Sequence, residues 1–307
     1  MKRIAICGAS GLVGSLLTAK LLQRGDQVIV VGRSIERLRR DVPDATDHLT
    51  WEEFASAETY ALDSIVNLAG AGVMDRRWNE AYKAIMTQSR VKSTQLCANI
   101  CAKHPAIQLS NASSVHAYGV HAGDHKAFVE GDEPTGGKNC YLYELYKQWE
   151  AATAAASTAG ARVVNLRIGV VLASEGGALA ETVKPFKVFL GGRHGTGRQI
   201  LSWISLRDLA NAIIFLIDKP EITGPVNMVS PNPCTNADFT AAIGAALGKP
   251  DFVPMPSSIV RAVMGQAGHE LVVLGQRVLP KRLLEAGFEF EDDCIDRSVD
   301  GLLNPGT

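Results

Sequence analysis

The 307-residue sequence predicts an α/β fold in which a parallel sheet is covered by helices on both faces. Short, almost entirely apolar segments at residues 1–7 and 27–33 alternate with a helical pattern at residues 15–25. Strands that are apolar on both faces are typical of parallel sheets buried between layers of helices. A glycine-rich turn directly after the first strand favours the doubly wound, Rossmann-like arrangement, in which ligands bind at the carboxyl ends of the strands.

The remaining elements continue this alternation, and the sequence predicts further strands within residues 62–72, 106–114 and 161–172. Helical patterns occupy residues 90–103, the segment that begins near Cys140, and residues 206–218. After about Ala173 the pattern becomes glycine-rich and less regular. The expected organisation is a dinucleotide-binding core at residues 1–172 and 205–228, with a small substrate-binding lobe at residues 173–204 and 229–307.

Composition excludes several classes of function. A net charge of −1 leaves no basic surface of the kind that nucleic acids or acidic membranes attract. No apolar run approaches the ~20 residues of a membrane span, and the glycine turn comes too early for a signal peptide. The six cysteines follow no zinc-binding spacing, and Cys97 and Cys101 share one helix face, as core residues do. We therefore expect a cytoplasmic monomer or homodimer that acts on a small molecule and binds no metal.

The first turn carries three glycines, Gly8, Gly11 and Gly14, between a strand and a helix. Such a turn is tight, and it lets the backbone approach a pyrophosphate at the positive end of the helix. A glycine triplet alone is a weak signal, whereas its position after the first strand makes it specific. The alternative is a glycine-rich turn without a ligand.

The end of the second predicted strand indicates which dinucleotide binds. Proteins that bind NAD place Asp or Glu there to hold the ribose hydroxyls, but this sequence places Arg33 after Gly32. A guanidinium pairs with the 2′-phosphate of NADP through charged hydrogen bonds. Arg37 lies four residues further on and adds positive charge. NADPH is therefore the expected cofactor; the alternative is that residues 33–40 form a solvated basic helix face.

A second group of polar residues follows later strands. Ser113 and Ser114 close the strand at residues 106–114, and Tyr143 precedes Lys147 by four residues on the next helix, so that both share one face. This arrangement is compatible with a tyrosine packed on a lysine stem or with a catalytic pair. Tyr146 competes for the role, but its spacing from Lys147 places the two on different faces.

These residues carry a resemblance. Ser followed by Tyr-x-x-x-Lys, behind an N-terminal G-x-x-G-x-x-G, resembles the short-chain dehydrogenase/reductase superfamily. The stretches "VNLAGAGV", "RRW", "GTGRQILSWI", "NMVSP" and "LPKRLLEAGFEF" are similar to its epimerase-like family with a C-terminal domain of unknown function, here about residues 250–300. That family is sometimes labelled a cell-division inhibitor, a role for which no residue here argues. The resemblance covers essentially the whole chain.

The resemblance implies roles for individual residues. Tyr143 would be the general acid/base, Lys147 would assist it and hold the nicotinamide ribose, and Ser114 would hydrogen-bond the reacting oxygen. Ionising a free tyrosine near pH 7 costs about 4 kcal/mol, a cost that a nearby ammonium lowers. The complete predicted cofactor set is Gly8, Ser10, Gly11, Leu12, Val13, Gly14, Arg33, Ser34, Arg37, Asn67, Leu68, Ala69, Gly70 and Lys147.

Further residues are candidates for binding the substrate: Ser113, His116, Arg77, Trp78 and Arg198. Arg77 would clamp an anionic group or cap a helix, and residues 198–204 would line the substrate cleft. His116, His121 and His125 lie near Asp124 in the sequence, which favours a polar loop over a metal site. The sequence thus predicts an NADP(H)-dependent oxidoreductase or epimerase. It would transfer hydride to or from a small hydroxyl or carbonyl substrate, such as a nucleotide sugar, with the help of a tyrosine. The alternative is a non-enzymatic NADP(H)-binding regulator.

Overall fold

The computed structural model describes residues 1–56, 61–121, 126–133 and 140–306. Its strands, in chain order, are β1 (Arg3–Cys7), β2 (Gln27–Gly32), β3 (Asp47–Thr50), β4 (Ser64–Asn67), β5 (Gln108–Ser114), β6 (Val163–Ile168), β7 (Val170–Leu172), β8 (Ile200–Leu201), β9 (Trp203–Ser205), β10 (Gly224–Met228) and β11 (Cys234–Thr235). Its α-helices are α1 (Leu12–Gln23), α2 (Ile35–Asp41), α3 (Trp51–Ser56), α4 (Glu80–Lys103), α5 (Tyr141–Ala151), α6 (Ala154–Thr158), α7 (Gly177–Lys187), α8 (Leu206–Ile217), α9 (Asn236–Leu247), α10 (Ser257–Gly268), α11 (Lys281–Glu285) and α12 (Ile295–Leu303). A 3₁₀ turn covers Val115–Tyr118, and a π-helical turn covers His269–Val273.

Within the described ranges, seven strands form one sheet in the order β10-β6-β5-β4-β1-β2-β3, and every neighbouring pair is parallel. The strand order reverses beside β1, where a doubly wound sheet opens a crevice at the carboxyl ends of its strands. The predicted Rossmann-like fold is confirmed.

Alternate residues of β1 supply the two layers of the core. Ile4 and Ile6 pack with residues of α1 and α8 on one face, and Ala5 and Cys7 pack with residues of α4 on the other. All four side chains are fully buried, as are Cys97 and Cys101 on α4, so the predicted core role of those two cysteines is confirmed. Both faces of the sheet are therefore covered, which explains why its strands are apolar throughout.

The strand predicted at residues 161–172 is in fact two strands. β6 belongs to the central sheet, whereas β7 pairs with β9 in a separate two-stranded sheet. Gly169 separates β6 from β7 where the backbone passes close to Ser202. A Cβ added at Gly169 would lie 2.4 Å from the Ser202 carbonyl oxygen. Continuous apolar periodicity hides this change of partner, because both strands are buried.

Two other elements also differ from the sequence prediction. β3 was not predicted, since the stretch Asp47–Thr50 lacks a long apolar run and lies at the sheet edge beside β2. α4 begins ten residues earlier than predicted, at Glu80, because the side chain of Asn79 caps it by accepting a hydrogen bond from the Tyr82 amide at 2.8 Å.

The C-terminal segment returns to contact earlier parts of the chain through residues 275–278. Short bridges join His121 to Gly275 and Phe128 to Val278. The Ser202 hydroxyl donates to the Gln276 carbonyl and accepts from the Val278 amide. No helix in the described ranges combines the length and hydropathy needed to cross a bilayer.

Candidate active site

The glycine turn after β1 is shaped for a ligand that approaches the backbone. Gly8 has a φ of +87°, and a Cβ there would lie 3.0 Å from the backbone nitrogen of Ala69. A Cβ at Gly14 would lie 2.3 Å from the Gly8 carbonyl oxygen, so only glycine allows α1 to start this close to the strand. Gly11 is the N-cap of α1 and brings no side chain, and the first helical turn holds no acidic residue. These features fit a pyrophosphate at the start of α1.

Residues beyond β2 supply the charge predicted to select NADP. Arg33 is exposed, and no hydrogen bond or ion pair engages its guanidinium among the residues that the structure describes. Ser34 instead caps α2, because its hydroxyl accepts from the Arg37 amide at 3.2 Å. The Arg37 guanidinium lies 3.1 Å from Asp41, which offsets its charge. Arg33 is therefore the better placed of the two predicted cations for a 2′-phosphate.

Asn67 has a structural role that its sequence position does not reveal. Its side chain is fully buried, and its amide nitrogen donates to Asn111 at 2.8 Å and to Thr94 at 3.1 Å. Its side-chain oxygen accepts from the Ala69 amide at 3.2 Å, which fixes the backbone of the loop facing Gly8. The Asn67 side chain thus shapes the loop from within, and its predicted cofactor contact, like those of Leu68, Ala69 and Gly70, stays a prediction.

Ser114 ends β5 and is partly exposed at the carboxyl edge of the sheet. Its Oγ lies 2.7 Å from Nδ1 of His116. Burial lowers the pKa of His116 to about 4, while the charge of Glu270 and a hydrogen bond to the Glu270 backbone act in the opposite direction. His116 is therefore neutral near pH 7. A neutral imidazole has one acceptor nitrogen, and in the tautomer protonated at Nε2 the Nδ1 atom accepts from the Ser114 hydroxyl.

Tyr143 and Lys147 share one face of α5, as their spacing predicts. The Lys147 ammonium lies 5.6 Å from the centre of the Tyr143 ring and 3.6 Å from a carboxylate oxygen of Glu144. Lys147 is about half exposed, with 54% of its side-chain surface accessible, whereas Tyr143 is half-buried. Helix α5 packs against the Val115–Tyr118 turn that follows Ser114, so the three predicted catalytic residues lie on neighbouring elements.

Tyr146 belongs to a buried network instead. Arg167 donates to the hydroxyls of Tyr146 at 3.0 Å and Tyr118 at 2.9 Å, and it forms an ion pair with Glu150 at 3.0 Å. Burial raises the pKa of Tyr146 to about 12. This tyrosine therefore remains protonated and is not suited to proton transfer.

Ser113 joins the same network, because its hydroxyl donates to Glu150 at 2.6 Å and the residue is 3% exposed. Ser113 is thus engaged within the protein, and its contact with substrate stays a prediction. Side chains alternate across a strand, so Ser114 and Ser113 necessarily point to opposite faces of β5.

Trp78, another predicted substrate residue, is likewise engaged by neighbouring groups of the protein. It is 9% exposed, its indole nitrogen donates to the Val73 carbonyl at 2.7 Å, and its ring packs against Tyr141. Residues 198–204 do not simply line a cleft either, because Ile200, Trp203 and Ile204 are buried core residues. Arg198 and Arg77 are exposed, and Arg77 lies beside Gly265 of α10.

No group of three metal-ligating side chains occurs in the described ranges. The histidine cluster suggested by the sequence is only partly described, because Asp124 and His125 lie outside those ranges. His121 stacks on Phe128 with ring centres 5.7 Å apart.

Sequence reasoning missed three residues that shape this site: Glu150, Arg167 and Glu270. All three are charged, yet all are largely buried, and each pairs with groups far away in the chain. A buried charge is retained only with partners, but a single sequence does not show which charges are buried. The missed residues therefore left no signal that spacing could detect.

A parallel sheet with this strand order and a glycine turn into its first helix defines the Rossmann-like α/β class. The profile of the NAD dependent epimerase/dehydratase family matches residues 4–228, and a domain of unknown function, DUF1731, matches residues 255–299. The chain therefore belongs to the NAD dependent epimerase/dehydratase family.

Relatives match along nearly the full length. An epimerase family protein of Mycobacterium bovis is 39% identical over 300 residues, which cover 96% of each chain. The crystal structure of the human epimerase family protein SDR39U1 with NADPH has a TM-score of 0.88 and 32% identity and covers 99% of each chain. A nucleoside-diphosphate sugar epimerase from Corynebacterium glutamicum has a TM-score of 0.76 and 31% identity over 98% of this chain and 58% of that one.

Proposed function

We propose that this chain is an NADPH-dependent oxidoreductase or epimerase that acts on a small substrate bearing a hydroxyl or carbonyl group. The observation that carries the proposal is the grouping at one sheet edge. The Gly8 turn follows β1, Ser114 ends β5, and α5 brings Tyr143 and Lys147 against the turn after Ser114. Ligands of doubly wound sheets bind at this edge.

The proposed preference for NADPH has two supports. Arg33 stands exposed after β2, where the sequence offers no acid to hold ribose hydroxyls. The crystal structure of the human relative SDR39U1 contains NADPH. The Gly8, Gly11 and Gly14 turn would hold the pyrophosphate, and Lys147 would hold the nicotinamide ribose.

The chain's own residues supply the proton chemistry. NADPH, when bound, provides a hydride for reduction, and the oxidised form accepts one. Tyr143 transfers a proton to or from the reacting oxygen, and the ammonium of Lys147 lies 5.6 Å from the centre of its ring. The Ser114 hydroxyl donates a hydrogen bond to Nδ1 of neutral His116, so the lone pairs of its oxygen can accept a hydrogen bond from a substrate hydroxyl.

The experiment compares two tyrosines of one helix. Purified wild type, Tyr143→Phe and Tyr146→Phe would be titrated with NADPH and then screened for NADPH consumption with aldehydes, keto acids and sugars. Because one relative is named a nucleoside-diphosphate sugar epimerase, nucleotide sugars join the screen, with product sugars analysed for inversion. Tyr143→Phe should bind NADPH normally and lose turnover by about a hundredfold or more.

Tyr146→Phe should retain turnover, since it loses only a buried hydrogen bond to Arg167. Equal turnover in wild type and Tyr143→Phe would remove Tyr143 from the mechanism. Tight NADPH binding without consumption of any compound in the screen would contradict the enzymatic proposal and support a cofactor-binding regulator.

A further inference from the structure

Glu270 lies in the π-helical turn of the C-terminal segment and reaches the start of α5. The residue is 3% exposed. One carboxylate oxygen accepts from the Tyr141 amide at 3.1 Å, and the other accepts from the Leu142 amide at 3.0 Å. The side-chain amide of Gln266 donates to the first oxygen at 2.6 Å. The carboxylate thus occupies the end of α5 that carries Tyr143 and Lys147.

Helix α5 has no cap of its own. Its N-cap residue is Cys140, whose side chain makes no capping hydrogen bond. The first amides of a helix lack partners within the helix, and a negative charge there is stabilising. Glu270 meets this need from 129 residues away in the chain. The orientation of α5 is therefore tied to the C-terminal segment.

The same residue is connected to Ser114. Helix α5, whose start Glu270 holds, packs against the Val115–Tyr118 turn that contains His116. His116 in turn contacts the Ser114 hydroxyl at 2.7 Å through Nδ1. A shift of the π-helical turn would therefore move the start of α5 and, through this packing, the turn that carries the partner of Ser114.

We propose that Glu270 is a positioning residue: its carboxylate holds the start of α5 and thereby keeps Tyr143 in register with Ser114. This inference rests on the proposed function for its chemical meaning. It assigns a role to the part of the chain matched by the domain of unknown function: the segment completes the catalytic arrangement of the core.

Two other buried carboxylates anchor the same C-terminal segment without touching α5. Glu130 accepts from the amides of Asn227 at 3.0 Å and Arg282 at 3.3 Å. Asp208 accepts from the amides of Glu291 at 3.1 Å and Asp292 at 2.9 Å. Glu130 is the matched control, because it is also a buried glutamate that accepts from two backbone amides.

The test compares Glu270→Gln with Glu130→Gln in the full-length protein. An amide in place of the Glu270 carboxylate puts a donor against the donors of Tyr141 or Leu142, whereas Glu270→Asp keeps the charge and serves as the milder variant. Hydrogen exchange of the first turn of α5 and of the Val115–Tyr118 turn would be measured with NADPH present. Reduction of 4-nitrobenzaldehyde, a general carbonyl probe, would be measured in parallel with NADPH affinity.

We expect Glu270→Gln to accelerate exchange in both segments by about tenfold or more and to lower kcat by at least about tenfold. NADPH affinity should stay within about threefold, because the Gly8 turn is untouched. Glu270→Asp should fall between Glu270→Gln and wild type, and Glu130→Gln should leave kcat and both exchange rates unchanged. The separation of kcat from cofactor affinity distinguishes positioning from a general loss of stability.

Each other outcome overturns a defined statement. If exchange is faster in Glu270→Gln but kcat is unchanged, Glu270 has only a structural role. If exchange is also unchanged, Glu270 does not hold the two segments. A wild type that reduces no carbonyl compound counts against the proposed function alone. In that case, faster exchange of both segments in Glu270→Gln still supports the role of Glu270 in holding them. If neither segment exchanges faster in this variant, that role is overturned.

Discussion

The two ends of the candidate site are built in different ways. The cofactor end is formed by neighbouring residues, since Gly8, Gly11 and Gly14 shape one turn between β1 and α1. The chemistry end depends on distant pairs: the carboxylate of Glu270 holds α5 from 129 residues away, and the Tyr118 hydroxyl donates to Asn227 across 109 residues.

This difference explains what each end tolerates. A local turn depends on backbone freedom, so a single added methyl group disrupts it. A site assembled from distant contacts depends on buried charges and hydrogen bonds, whose loss leaves a desolvated group without a partner. The following predictions test that contrast, from the largest expected effect to the smallest.

The largest effect is expected from the buried network at the chemistry end. Arg167→Met removes the cation that pairs with Glu150, and Arg167 is only 5% exposed. An uncompensated buried carboxylate typically costs about 3–5 kcal/mol. The free energy of unfolding, measured in urea, should fall by that amount.

Arg207→Met is the control for this prediction, because Arg207 is half exposed and pairs with Asp292 at 2.8 Å on the surface. Its loss should lower the free energy of unfolding by at most about 1 kcal/mol. Similar losses for both variants would contradict the distinction between buried and exposed pairs.

At the cofactor end, two glycines share a left-handed conformation but differ in their surroundings. Gly8 has a φ of +87° and backbone atoms 3.0 Å from an added Cβ, whereas Gly25 has a φ of +89° and open space. Gly8→Ala therefore adds crowding of the Leu68–Ala69 backbone to the strain, together about 2–3 kcal/mol. NADPH titration should show affinity reduced about thirtyfold or more in Gly8→Ala.

Gly25→Ala carries the same strain, of about 1–2 kcal/mol, away from the turn. It should lower the free energy of unfolding and leave NADPH affinity unchanged. Equal NADPH affinity in both alanine variants would show that the turn does not cradle the cofactor.

Stability should depend on pH through His116. Burial lowers the folded-state pKa of this residue to about 4, below the ordinary value near 6.5. Between these values the unfolded chain binds more protons, so the stabilisation is complete above pH 6.5 and is lost as the pH falls towards 4. Urea titrations should show a decrease of about 2.5 kcal/mol across this window.

His116→Asn should remove this decrease in the free energy of unfolding. The control is His104→Asn, at the C-terminal end of α4, in which the decrease should persist. An unchanged pH dependence in His116→Asn would show that His116 is not held neutral by its surroundings.

The smallest effect is expected at the open edge of the cofactor end. Arg33→Ala should weaken NADPH binding by about tenfold, the low end for a charged hydrogen bond because the guanidinium is exposed, and should leave NADH binding almost unchanged. Added salt should weaken NADPH binding more than NADH binding. Arg39→Ala, in the same basic run, is the control, and equal losses in both variants would assign the preference to general charge.

The two ends also differ in how well the sequence predicts them. The fold and the glycine turn follow from apolar periodicity and from consecutive residues, so both could be predicted. Tyr143 and Lys147 could be placed on one helix face, because i and i+4 positions are adjacent. The internal partners of Ser113 and Trp78, Glu150 and Val73, could not be predicted, because they are known only once the chain is folded.

Glu270 shows the limit most clearly. Nothing in the local stretch around it indicates a capping residue, because the helix that it caps lies in another part of the chain. The sequence shows that Cys140 is a poor capping residue, but many residues elsewhere in the chain could have supplied the cap. Long-range polar pairs of this kind are specified by the packing of the whole fold.

The central claim is that Tyr143, Ser114 and a bound nicotinamide meet at one edge of the sheet. A crystal structure of the wild-type protein with NADPH tests this claim most directly. The account predicts that the nicotinamide ring lies beside the Tyr143 hydroxyl, with Lys147 on its ribose and Arg33 on the 2′-phosphate. A nicotinamide directed away from Tyr143 and Ser114, with the Gly8 turn not contacting the pyrophosphate, would contradict it.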